Sequence, residues 1–138
     1  KPDGSKWKIA LQDPMDPSAY AGMLEIDSCA INTSGGYERY FEGDDGEVYW
    51  HILDPTTGMP AKNGVLSVTV LSESAFLGDG LSTALFVMGI DGAADYWRAS
   101  GGFDFIAITE SCIYATAGAA KAFTPSGNCA ALPMEIVE

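Results

Sequence analysis

The chain has 138 residues, 47% of them hydrophobic and 11% aromatic, which indicates one packed globular domain and excludes a disordered chain. Nineteen acidic residues oppose seven basic ones, and the net charge of -12 excludes a nucleic-acid-binding protein that neutralises phosphates with lysine and arginine. The same charge repels anionic ligands, so a protein of this composition that handles phosphates needs a metal cation. No apolar run approaches the roughly 18 residues of a membrane span.

Three short strands are predicted at the start of the chain. "WKIALQDP" (7–14) ends in an Asp-Pro turn, and "GMLEID" (22–27) and "AINTSG" (30–35) are the next two apolar segments. A glycine pair closes the third segment and allows the backbone to turn.

A hairpin is predicted over residues 37–52. Its sequence, "YERYFEGDDGEVYWHI", alternates aromatic and polar residues on both sides of the turn "GDDG". His51, the only histidine of the chain, then lies near the end of the returning strand.

A buried strand and two helices follow. "VLSVTVLS" (65–72) is rich in β-branched residues, which favours a strand. "DGLSTALFVMG" (79–89) has apolar residues at helical spacing, with Asp79 as a candidate N-cap and Gly89 as the stop. A second helix is predicted over "GAADYWRAS" (92–100).

A final strand pair is predicted from "FDFIAITE" (103–110) and "CIYATAG" (112–118), before a turn-rich tail after Phe123. The order of strands, two helices and strands predicts an α+β domain with a mainly antiparallel sheet. The three cysteines are widely spaced without a CxxC pair, which argues against zinc. They are either buried apolar side chains, or one disulfide and a leftover thiol.

Asp79 and Thr83 are candidate metal ligands. They lie four positions apart on a predicted helix, so their oxygens project from one face, a single turn apart. Mg²⁺ takes oxygen donors and commonly rests on one or two protein ligands plus substrate phosphates. The alternative is an ordinary helix start, in which Asp79 is only the N-cap.

His51 is the candidate proton acceptor, because an unperturbed imidazole takes up a proton near neutral pH. It is followed by Asp54-Pro55 and Thr57-Gly58, whose turn amides could contact a ligand. Both features also have a purely structural interpretation. His51 could be a hydrogen-bonded residue at a strand end, and the segment after it could serve only to turn the chain.

Five segments, in this order, resemble those of the ApbE family, the FAD:protein FMN transferases. They are "WKIALQDP", "TSGGYERYF", "HILDPTTGMP", "LSVTVLS" and "DGLSTALFVMG", and they cover most of residues 7–89. The later "GFDFIAITESCIYATAG" resembles the family's closing hairpin. The resemblance implies an α+β fold with a mainly antiparallel sheet and two helices, part of a T-fold-like ApbE domain.

The resemblance implies magnesium-dependent transfer of FMN from FAD to a threonine hydroxyl of a target flavoprotein, with release of AMP. Asp79 and Thr83 match the family's magnesium ligands, and Ser82 matches a further ligand of some members. His51, in the motif H-x-x-D-P-x-T-G, matches the residue that assists proton transfer at the attacking hydroxyl. The positions that the resemblance assigns to nucleotide binding are Thr33, Ser34, Leu53 (through its backbone), Asp54 and Thr57.

Residues 1–138 are expected to be the C-terminal portion of such a domain, with the N-terminal half absent. In the family, that half carries a lipobox-type export signal, a glycine-rich segment with a lysine that contacts FAD, and a backbone metal ligand. The resemblance therefore implies an extracytoplasmic lipoprotein whose only link to the membrane is an N-terminal lipid outside this chain.

Two alternatives stay open at this stage. Water in place of the threonine would make the same site an FAD pyrophosphatase that yields FMN and AMP. A module that binds flavin without chemistry, or that serves only as structure, is the other alternative.

Overall fold

Ten β-strands, two α-helices and one short 3-10 helix make up the computed structural model, which describes residues 1–138. The strands are β1 (Trp7–Gln12), β2 (Tyr20–Ile26), β3 (Ala30–Gly35), β4 (Tyr40–Glu42), β5 (Val48–Trp50), β6 (Val65–Ser72), β7 (Phe103–Thr109), β8 (Ile113–Thr116), β9 (Phe123–Pro125) and β10 (Met134–Val137). The helices are α1 (Ala75–Ser100), α2 (Ala117–Ala122) and the 3-10 helix Gly127–Ala131. No helix combines the length and the apolar character that crossing a bilayer requires.

The strands form three sheets. The five-stranded sheet has the order β10-β8-β7-β6-β3 and is antiparallel except where β10 runs parallel to β8. The three-stranded sheet has the order β1-β2-β9, and β4 and β5 form the predicted hairpin. The prediction of an α+β domain with a mainly antiparallel sheet and two helices is confirmed.

The five-stranded sheet is covered on both faces. Its first face packs on α1, through buried side chains that include Val68, Val70, Leu85, Phe86 and Phe105. Its second face packs on the three-stranded sheet and α2, through buried side chains that include Leu24, Leu71, Ile106, Ile113 and Phe123. Strand β6 contributes to both cores, with Val68 and Val70 in the first and Leu71 in the second, and its polar residues Ser67, Thr69 and Ser72 are buried as well.

Helix α1 begins earlier than the sequence predicted. Its N-cap is Ser74, whose hydroxyl accepts a hydrogen bond of 3.3 Å from the amide of Leu77. Asp79 lies in the second turn, so the interpretation of Asp79 as the N-cap is wrong. Gly78 and Gly80 flank Asp79, and two glycines lower the helix propensity of this segment enough to conceal the true start.

The predicted stop at Gly89 is a break inside α1. Gly89 has φ 73° and ψ -179°, a conformation that interrupts the helix and that glycine tolerates best. The chain resumes a helical course directly afterwards, so the two predicted helices are the two parts of α1. The first part carries the candidate metal ligands.

The C-terminal region differs from the prediction. Strand β8 ends at Thr116, and the next residues begin α2 instead of continuing the strand. The tail is also more regular than predicted, since it adds one strand to each of the two larger sheets. All three cysteines are free thiols, so the disulfide alternative is not formed.

Candidate functional site

A cluster of hydroxyl groups joins β3 to the first part of α1. The Ser34 Oγ atom lies 2.8 Å from Ser82 Oγ and 3.0 Å from Thr83 Oγ1. Ser82 donates to the carbonyl oxygen of Asp79 at 3.0 Å, and Thr83 Oγ1 lies 3.5 Å from the same oxygen. The structure therefore brings Ser34, Ser82, Thr83 and the backbone of Asp79 together.

Three hydroxyl protons limit the hydrogen-bond directions in this cluster. Because Ser82 donates its only proton to the Asp79 carbonyl, its contact with Ser34 needs the Ser34 proton. Thr83 then donates its own proton to Ser34 or to the Asp79 carbonyl, and its oxygen keeps its lone pairs free. Thr83 is exposed whereas Ser82 is 1% exposed, so the free lone pairs lie on the solvent side.

The Asp79 side chain is exposed and has no structural partner. None of the four ion pairs, which join Lys6 to Asp27, Lys8 to Glu25, Lys62 to Glu47 and Arg98 to Asp95, involves Asp79. With the N-cap at Ser74, its carboxylate has no capping role either.

The donor set suits Mg²⁺ better than a softer metal. Nowhere in the chain do three or more His, Cys, Asp or Glu side chains meet in a way that would hold a metal. One carboxylate and one free hydroxyl are hard oxygen donors, and Mg²⁺ commonly keeps waters and substrate phosphates as its remaining ligands. Asp79 and Thr83 therefore fit an ion that binds together with a phosphate-bearing substrate.

Thr33 is separated from this cluster. Successive side chains of a strand point to opposite faces, so Thr33 turns away from the face on which Ser34 meets α1. The Thr33 hydroxyl pairs with that of Thr69 on β6 at 2.9 Å. The structure thus joins only one of the two β3 residues to the candidate metal ligands.

His51 directly follows β5 and is held by the backbone of Arg39. Its amide donates to the Arg39 carbonyl at 3.2 Å, and its Nδ1 atom lies 3.3 Å from the same oxygen. A carbonyl only accepts, so Nδ1 carries the proton in the neutral ring and Nε2 presents its lone pair. The ring is exposed, which leaves Nε2 open to a substrate.

The segment after His51 forms a closed turn. The Asp54 carboxylate accepts hydrogen bonds from the amide and the hydroxyl of Thr56, at 2.8 and 2.7 Å, and these bonds lower the pKa of Asp54. The Thr57 hydroxyl accepts from the amide of Met59 at 3.2 Å. Asp54 and Thr57 thus shape the turn through their side chains.

Leu53 has the free backbone that a ligand contact requires. It pairs with Pro60 as an isolated bridge, and the hydrogen bonds on either side of this bridge are made by Ile52 with Ala61 and by Asp54 with Met59. The N–H and C=O of Leu53 make none of these bonds and point out of the turn. Its side chain is 50% exposed.

Trp50, directly before His51, packs on α1 and on the residue that follows β3, and the sequence did not single it out. Its ring packs edge-on against Phe86 of α1, with centroids 6.4 Å apart and an interplanar angle of 89°. It also covers Gly36, where an added Cβ would lie 2.9 Å from the ring. The end of β5 therefore rests on the strand and the helix that carry Ser34 and Thr83. The only available signal was an aromatic residue directly before the single histidine.

An apolar cavity of about 350 Å³ lies beside Trp50. No charged side chain lines it, and its wall includes Met15, Tyr37, Tyr40 and Val48. The Trp50 Nε1–H group is buried and has no hydrogen-bond acceptor. A buried donor without an acceptor is costly.

Comparison with known proteins places this arrangement in a family. A profile of the ApbE family matches residues 1–107. An FAD:protein FMN transferase of Vibrio cholerae is 50% identical over 88 residues, which are 63% of this chain and 26% of that protein. One of Klebsiella pneumoniae is 40% identical over 107 residues, which are 77% of this chain and 34% of that protein.

Solved structures agree with this assignment. The apo flavinyl transferase ApbE of Pseudomonas stutzeri has a TM-score of 0.68 and 34% identity, over 92% of this chain and 40% of its own. The flavin transferase ApbE of Vibrio cholerae has a TM-score of 0.71 and 35% identity, over 88% of this chain and 39% of its own. This chain thus spans well under half the length of the relatives that it matches, and it belongs to the ApbE family.

Proposed function

We propose that this chain takes part in the magnesium-dependent transfer of FMN from FAD to a threonine hydroxyl of a flavoprotein. Relatives named FAD:protein FMN transferase support flavin transfer in general. The observation that carries the proposal is the free Asp79 carboxylate one helical turn from the free lone pairs of Thr83, in a chain with only seven basic residues against nineteen acidic ones.

In the proposed reaction, the threonine oxygen attacks the phosphorus on the FMN side of the pyrophosphate. The bond from that phosphorus to the bridging oxygen breaks, and AMP leaves with the bridging oxygen. The product carries a phosphoester bond between FMN and the threonine. The threonine proton passes to His51 Nε2, which is unprotonated in the tautomer set by Arg39.

Asp79 and Thr83 are the proposed magnesium ligands, with Ser82 on the buried side of the same turn. Bound Mg²⁺ would neutralise the charge on the phosphoryl oxygens. Ser34 and the Asp79 carbonyl hold the Thr83 hydroxyl in place, and the Thr83 oxygen faces solvent with its lone pairs free.

The apolar cavity is proposed to receive a ring of FAD. It lacks charged side chains, so it suits an uncharged planar group and not the pyrophosphate. Leu53, with its unpaired backbone, lies two residues beyond His51 and is the proposed nucleotide contact there.

The test is to incubate the protein that carries this chain with FAD, Mg²⁺ and a flavoprotein acceptor, and to measure covalent flavin on the acceptor by mass spectrometry. Asp79→Asn is expected to lower the rate at limiting Mg²⁺ by at least about 100-fold, and His51→Asn by roughly 10²- to 10⁴-fold. Asp91→Asn, an exposed carboxylate in the other part of α1, is the matched control and should retain the rate.

Two outcomes would contradict the proposal. An acceptor without covalent flavin would exclude the transferase. Rapid release of free FMN and AMP in the absence of acceptor would indicate the pyrophosphatase instead.

A further inference from the structure

Asn63, in the loop before β6, binds the first part of α1 through its side chain. Its Nδ2 atom donates to the carbonyl oxygens of Phe86 and Val87, at 2.8 and 3.1 Å. Its Oδ1 atom accepts from the amide of Val65 at 3.1 Å. Both ends of the amide are therefore used, one on the helix and one on the strand.

The two carbonyls belong to the turn that precedes the break at Gly89. Carbonyl groups at the end of a helix need donors from outside it, and an amide group supplies two N–H donors. Glycine at position 89 is favoured by its positive φ of 73° and not by a lack of space, since an added Cβ would lie at an ordinary contact distance of 3.4 Å from Asn63 Nδ2. Asn63 thus acts as a side-chain cap for the first part of α1.

The position of Asn63 in the chain gives this cap a further role. It follows the closed turn that starts at His51, and Ala61 ties the end of that turn back to Ile52 with a bond of 3.0 Å. The capped turn of α1 begins directly after Thr83. Asn63 is therefore a direct polar link between the loop that carries His51 and the helix that carries the candidate metal ligands.

We propose that Asn63 is a positioning residue for the proposed transfer reaction. By capping α1 before Gly89, it fixes the last turn before the break and so keeps Asp79 and Thr83 in place relative to His51. This inference rests on the proposed function, and its test separates the two.

The informative variant is Asn63→Asp. It keeps the shape of the side chain and the acceptor for Val65, and it removes both N–H donors. Asn63→Ala removes the acceptor as well. Lys62→Gln is the matched control, because Lys62 is the preceding residue and bonds to Glu47 instead of the helix.

The first measurement is amide hydrogen exchange by NMR. In Asn63→Asp, the amides of residues 83–88 should exchange roughly five- to thirtyfold faster, while those of residues 93–100 keep their wild-type rates. Lys62→Gln should match the wild type throughout. Unchanged exchange at residues 83–88, or equal acceleration in both parts of α1, would overturn the cap.

The second measurement is the affinity for Mn²⁺ in the presence of FAD, followed by electron paramagnetic resonance well below the unfolding temperature. Asn63→Asp should weaken Mn²⁺ binding several-fold, and Lys62→Gln should not. If the amides exchange faster but the Mn²⁺ affinity is unchanged, Asn63 caps the helix without positioning the candidate metal ligands, and the inference is wrong. If the wild type itself binds no Mn²⁺, the proposed function fails and the positioning role fails with it, while the exchange pattern still reports on the cap.

Discussion

Asp54 shows how a single side chain holds the turn after His51. Its carboxylate accepts two hydrogen bonds from Thr56, and the hydroxyl bond is the larger cause of its lowered pKa. The pKa is lower in the folded chain than in the unfolded one. These bonds therefore stabilise the fold at pH values above the usual pKa of a carboxyl group. That contribution is lost as the pH falls through the lowered pKa.

We expect Thr56→Val to raise the pKa of Asp54 toward its usual range, since valine keeps the shape of threonine and removes the hydroxyl donor. The measurement is a carboxyl-carbon NMR titration of both proteins. Thr124→Val, an exposed position in β9, is the control and should leave the Asp54 titration unchanged. An identical Asp54 midpoint in wild type and Thr56→Val would show that the amide bond alone lowers the pKa.

At the residue scale, the sequence names candidate residues but does not give their orientations. Thr33 and Ser34 are adjacent hydroxyl residues, and nothing in the sequence shows which of them faces the helix. The alternation of the strand decides this only after β3 has paired with β6 and packed on α1. The packing of Trp50 was likewise not predictable from the sequence, because it depends on contacts with Gly36 and Phe86, which are distant in sequence.

At the scale of elements, the closest packing of α1 on β3 occurs at Gly78. A Cβ at this position would lie 2.5 Å from Asn32 Oδ1 and 2.8 Å from Ser72 Oγ. Helix and sheet can approach to this distance only because Gly78 has no side chain. The same approach brings Ser82, one turn later, to Ser34.

We expect Gly78→Ala to lower the free energy of unfolding by about 1–3 kcal/mol, because the added methyl group overpacks this contact. Adding Asn32→Ala removes one of the clashing atoms, so the loss in the double variant should be smaller than the sum of the single losses. Urea unfolding measures all three variants.

The matched control for this experiment is Gly80→Ala. No atom lies within 4 Å of a Cβ added at Gly80. Alanine there should be neutral or stabilising by about 0.4–1 kcal/mol, because it favours the helix without a clash. If the Gly78→Ala and Gly80→Ala variants are equally stable, the Asn32 side chain moves aside without a loss of folding free energy.

The sequence also predicted the existence of elements better than their ends. Strands β3 and β6 match the predicted bounds because turn residues flank them on both sides. The sequence placed the start of α1 too late, because Ser74 and Asp79 are both residue types that cap helices. The packing of Gly78 on Asn32, which the sequence does not show, accompanies the earlier helical turn.

At the scale of the whole molecule, negative charge is the dominant long-range property. Four of the seven cationic side chains are already held in ion pairs, those of Lys6, Lys8, Lys62 and Arg98. The molecule therefore repels a pyrophosphate at a distance, and binding depends on a divalent cation or on short-range contacts.

Without divalent metal, we expect FAD binding to tighten as NaCl rises from about 10 to about 150 mM, since the Debye length shrinks from about 30 to about 8 Å and screens the repulsion. Fluorescence titration measures the affinity. Riboflavin, which has no phosphate groups, is the control ligand and should show little salt dependence. Weaker FAD binding at higher salt would instead reveal a local cationic site.

The arrangement of the whole fold was only partly predictable. The order of strands and helices predicted the α+β class, but not that the C-terminal tail supplies a strand to each of the two larger sheets. Such pairings join distant segments of the chain, and the short runs β9 and β10 carry little local signal.

The interruption at Gly89 divides α1 into two parts that share one core, with Leu85 in the first part and Ala93 in the later part. The later part is also attached to β7 by the Trp97 indole, which donates to the Phe103 carbonyl at 2.8 Å. A spectroscopic label at the exposed Ala99 therefore lies beyond the break, in the part of α1 that does not carry the candidate metal ligands Asp79 and Thr83.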